Sequence, residues 1–268
     1  MQSVISNTDA GTNHDRICMG KTPASSERIA GRRHLGSGRR GNILSKVSDD
    51  KTLARRNMNL RISDYYMNCF LYEPTFFQNR EFGIFKNGQA IRHLSFPNPH
   101  KLRMFLIEQS PDHVYFSAAK YEHPGIPQME VKKSYWLGSD LIFDIDNDHL
   151  KRPTMKEALR QAKKLGKILI EDFGLEKLML VFSGSRGYHI HVQDECIQKC
   201  SNAERREIAD CFIVPYLPGK KTKNGKNIKN KKFVEIDAPV TCDITRLIRL
   251  PGSLHGKTHK PCEIIAGE

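Results

Sequence analysis

The sequence predicts an α+β fold, a mixed α/β arrangement that is not doubly wound. Strand-like and helix-like runs are interspersed along the chain, two strand pairs carry hairpin signals, and no internal repeat is visible. The 268 residues are 38% hydrophobic, enough for one substantial core with a small appendage. No run of 18 apolar residues occurs and the N-terminus lacks a secretory apolar segment, so neither a membrane-spanning helix nor a membrane partner is expected. Seven irregularly spaced cysteines, an odd number, argue for a reducing compartment.

Residues 1–57, rich in Ser, Gly, Asn and Arg, show no sustained periodicity and are expected to be a disordered basic extension ahead of one domain, 58–268. The Arg and Ser content suits an organelle transit peptide, the acids argue against it, and a start at Met58 is the equal alternative. RISDYYMNCFLYEPTFF (61–77) reads as a short helix stopped near Pro74. EFGIFKNGQAIRHLSF (81–96) reads as a hairpin, because Asn87-Gly88 supplies the positive φ angles of a type I′ turn. Leu102, Phe105 and Leu106 then share a helical face, and VYFSAAKY (114–121) and LIFDID (141–146) read as strands. Thr154 and Glu157 fit a capping box opening a helix that ends at Gly174. LMLVF and YHIHV flank the five-residue loop SGSRG as a second hairpin, and a helix at 202–213 leads to a Lys-rich loop, 219–232.

The net charge of +13 points to a polyanion such as nucleic acid. Residues 1–60 carry 11 basic and 5 acidic residues, and residues 219–232 carry 7 Lys and no acid. The remainder, 25 basic against 25 acidic, is neutral, so both basic segments read as flexible, solvated chain and the core must hold any polyanion by placed residues.

Asp144 and Asp146 sit one residue apart in an apolar strand. Residues i and i+2 of a strand share a face, so the two carboxylates lie side by side while Leu141, Phe143 and Ile145 point the other way. Paired acids repel unless a cation intervenes, and Mg²⁺ or Mn²⁺ favours such oxygens; the plainer alternative is a strand-end turn. In SGSRGYHIHV, Gly184 and Gly187 let backbone approach a phosphate, Arg186 offers a charged fork, and His189 and His191 share one face. An ordinary hairpin is the alternative. In VTCDITRLIRLPGSLHGKT (240–258), Asp243 precedes Arg246 and Arg249, which share a face on a helical turn, and Ser253, His255 and Lys257 follow at alternate positions. Together these parts could hold metal ions and a nucleoside triphosphate, although a phosphatase or nuclease could use similar ones.

With those residues in view, the chain resembles the small catalytic subunit of the archaeal and eukaryotic-type DNA primases, above all the archaeal form. The resemblance runs from about Tyr65 to Lys260 through NREFGIF and IRHLSF (79–96), WLGSDLIFDIDNDHL (136–150), EDFGLEKLMLVFSGSRGYHIHV (171–192) and the block at 240–258. It implies a primase catalytic core of mixed β-sheets and flanking helices, partly like an RNA-recognition fold. The implied activity is template-directed nucleotidyl transfer, making short RNA or DNA primers on single-stranded DNA for replication, with initiation slower than elongation. It implies two Mg²⁺ or Mn²⁺ ions on Asp144, Asp146 and Asp243, with Asp237 ranked below Asp243. Arg92, Ser183, Arg186, His189, Arg249, Ser253, His255 and Lys257 are the implied nucleotide contacts. The implied partners are the DNA template, nucleoside triphosphates and a primase large subunit, with a cytoplasmic, replisome-associated location.

The chain departs from the family pattern in three ways. Residues 147–182 contain no cysteine cluster, and Cys196, Cys200 and Cys211 lack an obvious fourth ligand, so structural zinc is not favoured. The chain stops ten residues after Thr258, where the family continues, so the C-terminal part of the family domain is expected to be missing. Ser185 stands where some relatives have Arg. The competing readings are a primase-polymerase of a repair pathway or mobile element, and a non-catalytic nucleic-acid-binding remnant.

Overall fold

The computed structural model describes residues 41–126 and 135–267. Helix α1 runs Gly41–Asn68, and the fold proper is the unit from Ser48 onward. Residues 1–40 of the expected extension lie outside the described residues. Its last part, expected to be disordered, is helical: Leu53, Ala54, Arg55 and Arg56 are good helix formers, and the helix they lead into buries Ile62 and Tyr66.

The first sheet has strand order β10-β3-β1-β2, with β4 also paired to β3. Its members are β1 (Arg80–Lys86), β2 (Gln89–Leu94), β3 (His113–Tyr121), β4 (Trp136–Ser139) and β10 (Leu247–Arg249). The β1–β2 turn is Asn87-Gly88 with φ of 53° and 80°, as the dipeptide demands. Helix α2 (Pro99–Gln109) begins where Asn98 accepts from the Lys101 N–H at 2.9 Å, and buries Leu102 and Leu106. α1 and α2 pack through Ile62, Tyr66, Leu102 and Leu106 on Phe82, Ile84, Val114, Phe116 and Ile248.

The second sheet has order β11-β6-β7-β5. It comprises β5 (Leu141–Asp146), β6 (Leu178–Phe182), β7 (Gly187–Val192) and β11 (Glu263–Ala266). Helix α3 (Met155–Glu171) covers the face carrying Leu141, Phe143, Ile145, Ile190 and Val192, burying Ala158, Ala162, Leu165 and Leu169. Each fully buried Leu, Ile or Val side chain contributes about 1.5–3 kcal/mol. Only half of the expected capping box at α3 forms. Thr154 accepts from the Glu157 N–H at 3.2 Å, but the Glu157 carboxylate is held by Arg160 and Gln161. The closed box lies at helix α4 (Asn202–Ile213), between Ser201 and Glu204.

The opposite face of this sheet turns to the first one. Ile142 joins the first sheet's core, and His191 stacks on Phe116 at 5.8 Å and 2°. Both ring nitrogens of His191 lack a partner among the described residues, and burial holds it neutral, near a pKa of about 4. The chain changes sheets at Asp140, between β4 and β5. Its carboxylate bonds Arg80 Nη2 at 2.7 Å and Gln198 Nε2 at 3.1 Å, and its carbonyl accepts from Arg205 at 2.8 Å.

The α+β class stands, with one difference from the expected sheets. Every strand pairing among the described residues is antiparallel, not mixed. The segment read as a helical turn at Arg246–Arg249 is strand β10, because pairing with Tyr115–Ser117 of β3 overrides local spacing. The Lys-rich loop contains a hairpin, β8 (Tyr216–Lys221) and β9 (Asn227–Lys229). No helix among the described residues is long and apolar enough to cross a membrane.

Candidate active site

The site opens where the polar face of β5 meets β10. A cleft of about 240 Å³ is lined by Asp144, Asp146, the 183–187 loop, His189, Tyr115, Arg246–Arg249 and His255. The alternation of β5 puts both carboxylates there, as the sequence implied.

Asp144 is four-fifths buried, and its pKa rises from 3.8 to about 6. Burial is the first cause, followed by the charges of Asp146 and then Asp237, while Arg246 opposes them. Below pH 3.8 the carboxyl is protonated folded or unfolded and costs nothing. As the pH rises through 6 the folded state must ionise it, at about 3 kcal/mol. Asp144→Asn is therefore expected to stabilise the metal-free protein by on the order of 2 kcal/mol at pH 8, fading near pH 4. Urea denaturation at the two pH values checks this; a less stable variant at pH 8 would contradict it.

Opposite Asp144 on β7 stands His189, its Nε2 3.7 Å from Asp144 Oδ1. Burial and the charges of Arg249 and Arg246 hold it neutral. The preceding loop is a closed turn: Ser183 N–H donates to Gly187 O at 3.0 Å, and Gly187 N–H to Ser183 Oγ at 3.2 Å. No side chain fits at position 187. A Cβ there would lie 2.6 Å from Ile145 O and 3.0 Å from Asp146 Cα. Gly187→Ala is expected to push the Asp144–Asp146 strand, costing about 1–3 kcal/mol and about 10²-fold in activity. Thermal melting and a turnover assay test it, and a variant with wild-type turnover would contradict it. Arg186 projects from the loop and pairs with Asp148.

The opposite wall is cationic. Arg249 lies over Tyr115, 5.3 Å from the ring centroid, and donates to His113 Nδ1 at 2.8 Å. That nitrogen also accepts from Gly256 N–H at 3.1 Å, and burial holds His113 neutral, near pKa 4. His255 packs edge-on against His113 at 4.8 Å.

Not every expected contact converges here. Ser253 is fully buried, its hydroxyl donating to Leu250 O at 2.7 Å. Arg92 is bound to buried Glu81 through two bonds, at 3.0 and 3.3 Å. Lys257 is exposed beside the cleft without lining it. Asp243 does not line the cleft either: its Oδ1 closes a turn with the Thr245 N–H and hydroxyl at 2.9 and 2.8 Å. Its charge is felt at Arg205 and Tyr121. Asp237, ranked below it, acts on Asp144, and its N–H donates to Asp144 O at 2.9 Å. The two acids flank the five-residue helix α5 (Ala238–Cys242), so about 9 Å of helix separates them. Tyr115 and His113 were missed as site residues. Their signal was the alternate polar positions 113 and 115 of a strand.

Among the described residues no three acids, histidines or cysteines form a ready-made metal cage. The donors present are hard carboxylate oxygens, one under like-charge stress, which suits a hydrated Mg²⁺ or Mn²⁺ completed by substrate phosphates.

Paired strand carboxylates facing a cationic, imidazole-lined cleft are the equipment of a nucleotidyltransferase. Residues 143–266 match the family model described as DNA primase small subunit. The DNA primase small subunit PriS of Archaeoglobus fulgidus is 35% identical over 265 residues, covering 77% of this chain and 78% of that protein. PriS of Pyrobaculum aerophilum is 38% identical over 230 residues, 73% of each. The chain belongs to the DNA primase small subunit family, the catalytic subunit of primase. Among solved structures, the polymerase domain from Mycobacterium tuberculosis Ligase D in complex with DNA aligns with a TM-score of 0.49 and 16% identity, covering 76% of this chain and 79% of that one.

Proposed function

We propose that this chain makes primers from nucleoside triphosphates on a single-stranded DNA template, with Asp144, Asp146 and Asp237 as its catalytic, metal-holding acids. The observation that supports this is that Asp237, whose N–H bonds Asp144 O, carries a charge that acts on the Asp144 carboxyl. Divalent Mg²⁺ or Mn²⁺ on these acids would supply Lewis-acid activation of the attacking hydroxyl and neutralise phosphate charge. The chain's own groups do the rest. Arg249 and Arg246 offset charge on the departing pyrophosphate, and Arg186 exchanges Asp148 for phosphate. Neutral His189 donates a hydrogen bond to a phosphate oxygen, and the turn at Ser183–Gly187 brings backbone against the triphosphate. Arg249, clamped by Tyr115 and His113, is pre-oriented and loses little freedom when it binds. A primase large subunit is the partner we expect to assist initiation.

The test is primer synthesis on single-stranded DNA with Mg²⁺ or Mn²⁺, with and without a large subunit. Short products from the wild type and none from Asp144→Asn/Asp146→Asn are expected. Equal products from both would overturn the carboxylate assignment.

A further inference from the structure

The Lys-rich segment plays no part in the cleft, yet it is ordered. Strands β8 and β9 are closed by a turn in which Thr222 N–H donates to Lys226 O at 2.8 Å and Gly225 N–H to Thr222 O at 2.9 Å, with Gly225 at φ 75°. The base is clamped: Asn230 Nδ2 donates to Cys211 O at 2.9 Å and Val214 O at 2.8 Å. Of its seven lysines, Lys232 is structural, bonded to Asp172 at 2.6 Å and lying over Phe173. Lys220, Lys221, Lys223, Lys226, Lys229 and Lys231 are exposed, and none pairs with a carboxylate among the described residues. Like charges crowded on two paired strands repel, so nothing internal to the hairpin accounts for them. Tyr216, directly across from Lys229, is 45% exposed and adds an aromatic face to the cationic one.

We propose that this hairpin is a binding surface for the phosphate backbone of single-stranded DNA, with Tyr216 stacking on a base. Ammonium groups on a rigid support neutralise successive phosphates, and an exposed ring accepts any base, the combination that grips single strands without reading sequence. The strand so held is led toward the cleft. Four residues lie between Lys232 and Asp237, five steps of chain that span at most about 18 Å, and Asp237 is bonded to Asp144. That the strand is the template rests on the function proposed above; the binding itself does not.

The full chain would be titrated into labelled oligothymidylate, read by fluorescence anisotropy over a range of salt. Lys220→Gln/Lys221→Gln/Lys223→Gln/Lys226→Gln is expected to bind about tenfold more weakly or worse near about 100 mM salt. Its slope of log affinity against log salt should be shallower by about 3. Wild-type affinity and slope would overturn the proposal. Tyr216→Ala is expected to weaken single-strand binding while leaving duplex binding unchanged; an equal effect on both would overturn the stacking role. Asp144→Asn/Asp146→Asn, run alongside, separates the two readings. If that pair loses synthesis while the lysine variant binds like wild type, the hairpin assignment fails and the catalytic one stands. If the pair still makes primers while the lysine variant loses binding, the reverse holds.

Discussion

Asp237→Asn is expected to lower metal-dependent primer synthesis on the order of 10³-fold, and Asp243→Asn to leave it within about threefold. The contrast follows from which neighbours each acid has. Asp237 holds the Asp144 backbone through its own N–H and presses on the Asp144 carboxyl. Asp243 spends its oxygen on Thr245, and an asparagine would keep that turn. A second readout needs no turnover. Removing the Asp237 charge takes one repulsive neighbour from Asp144, so the pKa of Asp144, followed by NMR in the metal-free protein, should fall in Asp237→Asn. An Asp243→Asn variant as inactive as Asp237→Asn would return the third position to Asp243.

Asp140→Ala is expected to destabilise the fold by about 3–5 kcal/mol, the effect of leaving a buried charge without its partner. Arg80 is fully buried and its Nη2 bonds Asp140 at 2.7 Å, while Lys120 lies 3.9 Å from the other carboxylate oxygen. The remaining Arg80 donors go to the Ser117, Ala118 and Thr75 carbonyls. Without the carboxylate, an uncompensated guanidinium remains where the chain steps from one sheet to the other. Replacing both charges, Arg80→Met with Asp140→Leu, should recover most of the loss, because desolvation of the two ions offsets much of their attraction. Urea denaturation of both variants decides it; a loss below about 1 kcal/mol for Asp140→Ala would show that water reaches this junction.

The acid pair was legible because its logic is local. Strand alternation alone puts Asp144 and Asp146 opposite Phe143 and Ile145, and the packing of α3 on Phe143 confirms the sides. The Asn87-Gly88 hairpin and the Ser183–Gly187 turn were legible for the same reason. What failed depends on partners distant in sequence. Nothing near Asp237 announces that its N–H meets Asp144, and nothing near Ser253 announces that its hydroxyl turns inward to Leu250. The spacing of Arg246 and Arg249 suits a helix until β3 pairs with them. Asn224-Gly225 carried the same turn signal as Asn87-Gly88, but the surrounding lysines favoured a reading as solvated chain.

Across the base of the basic hairpin, Val234 N–H bonds Phe212 O at 3.0 Å and Asn230 N–H bonds Pro215 O at 2.8 Å. The chain leaving α4 thus comes back almost to its point of departure before it runs on to Asp237. What lies between those anchors has no leverage on the acids. Doubling the length of such an excursion costs only about 0.6 kcal/mol in closure entropy. Evolution is therefore free to lengthen, shorten or exchange this insertion, retuning how the enzyme holds a strand, while the chemistry stays under separate selection.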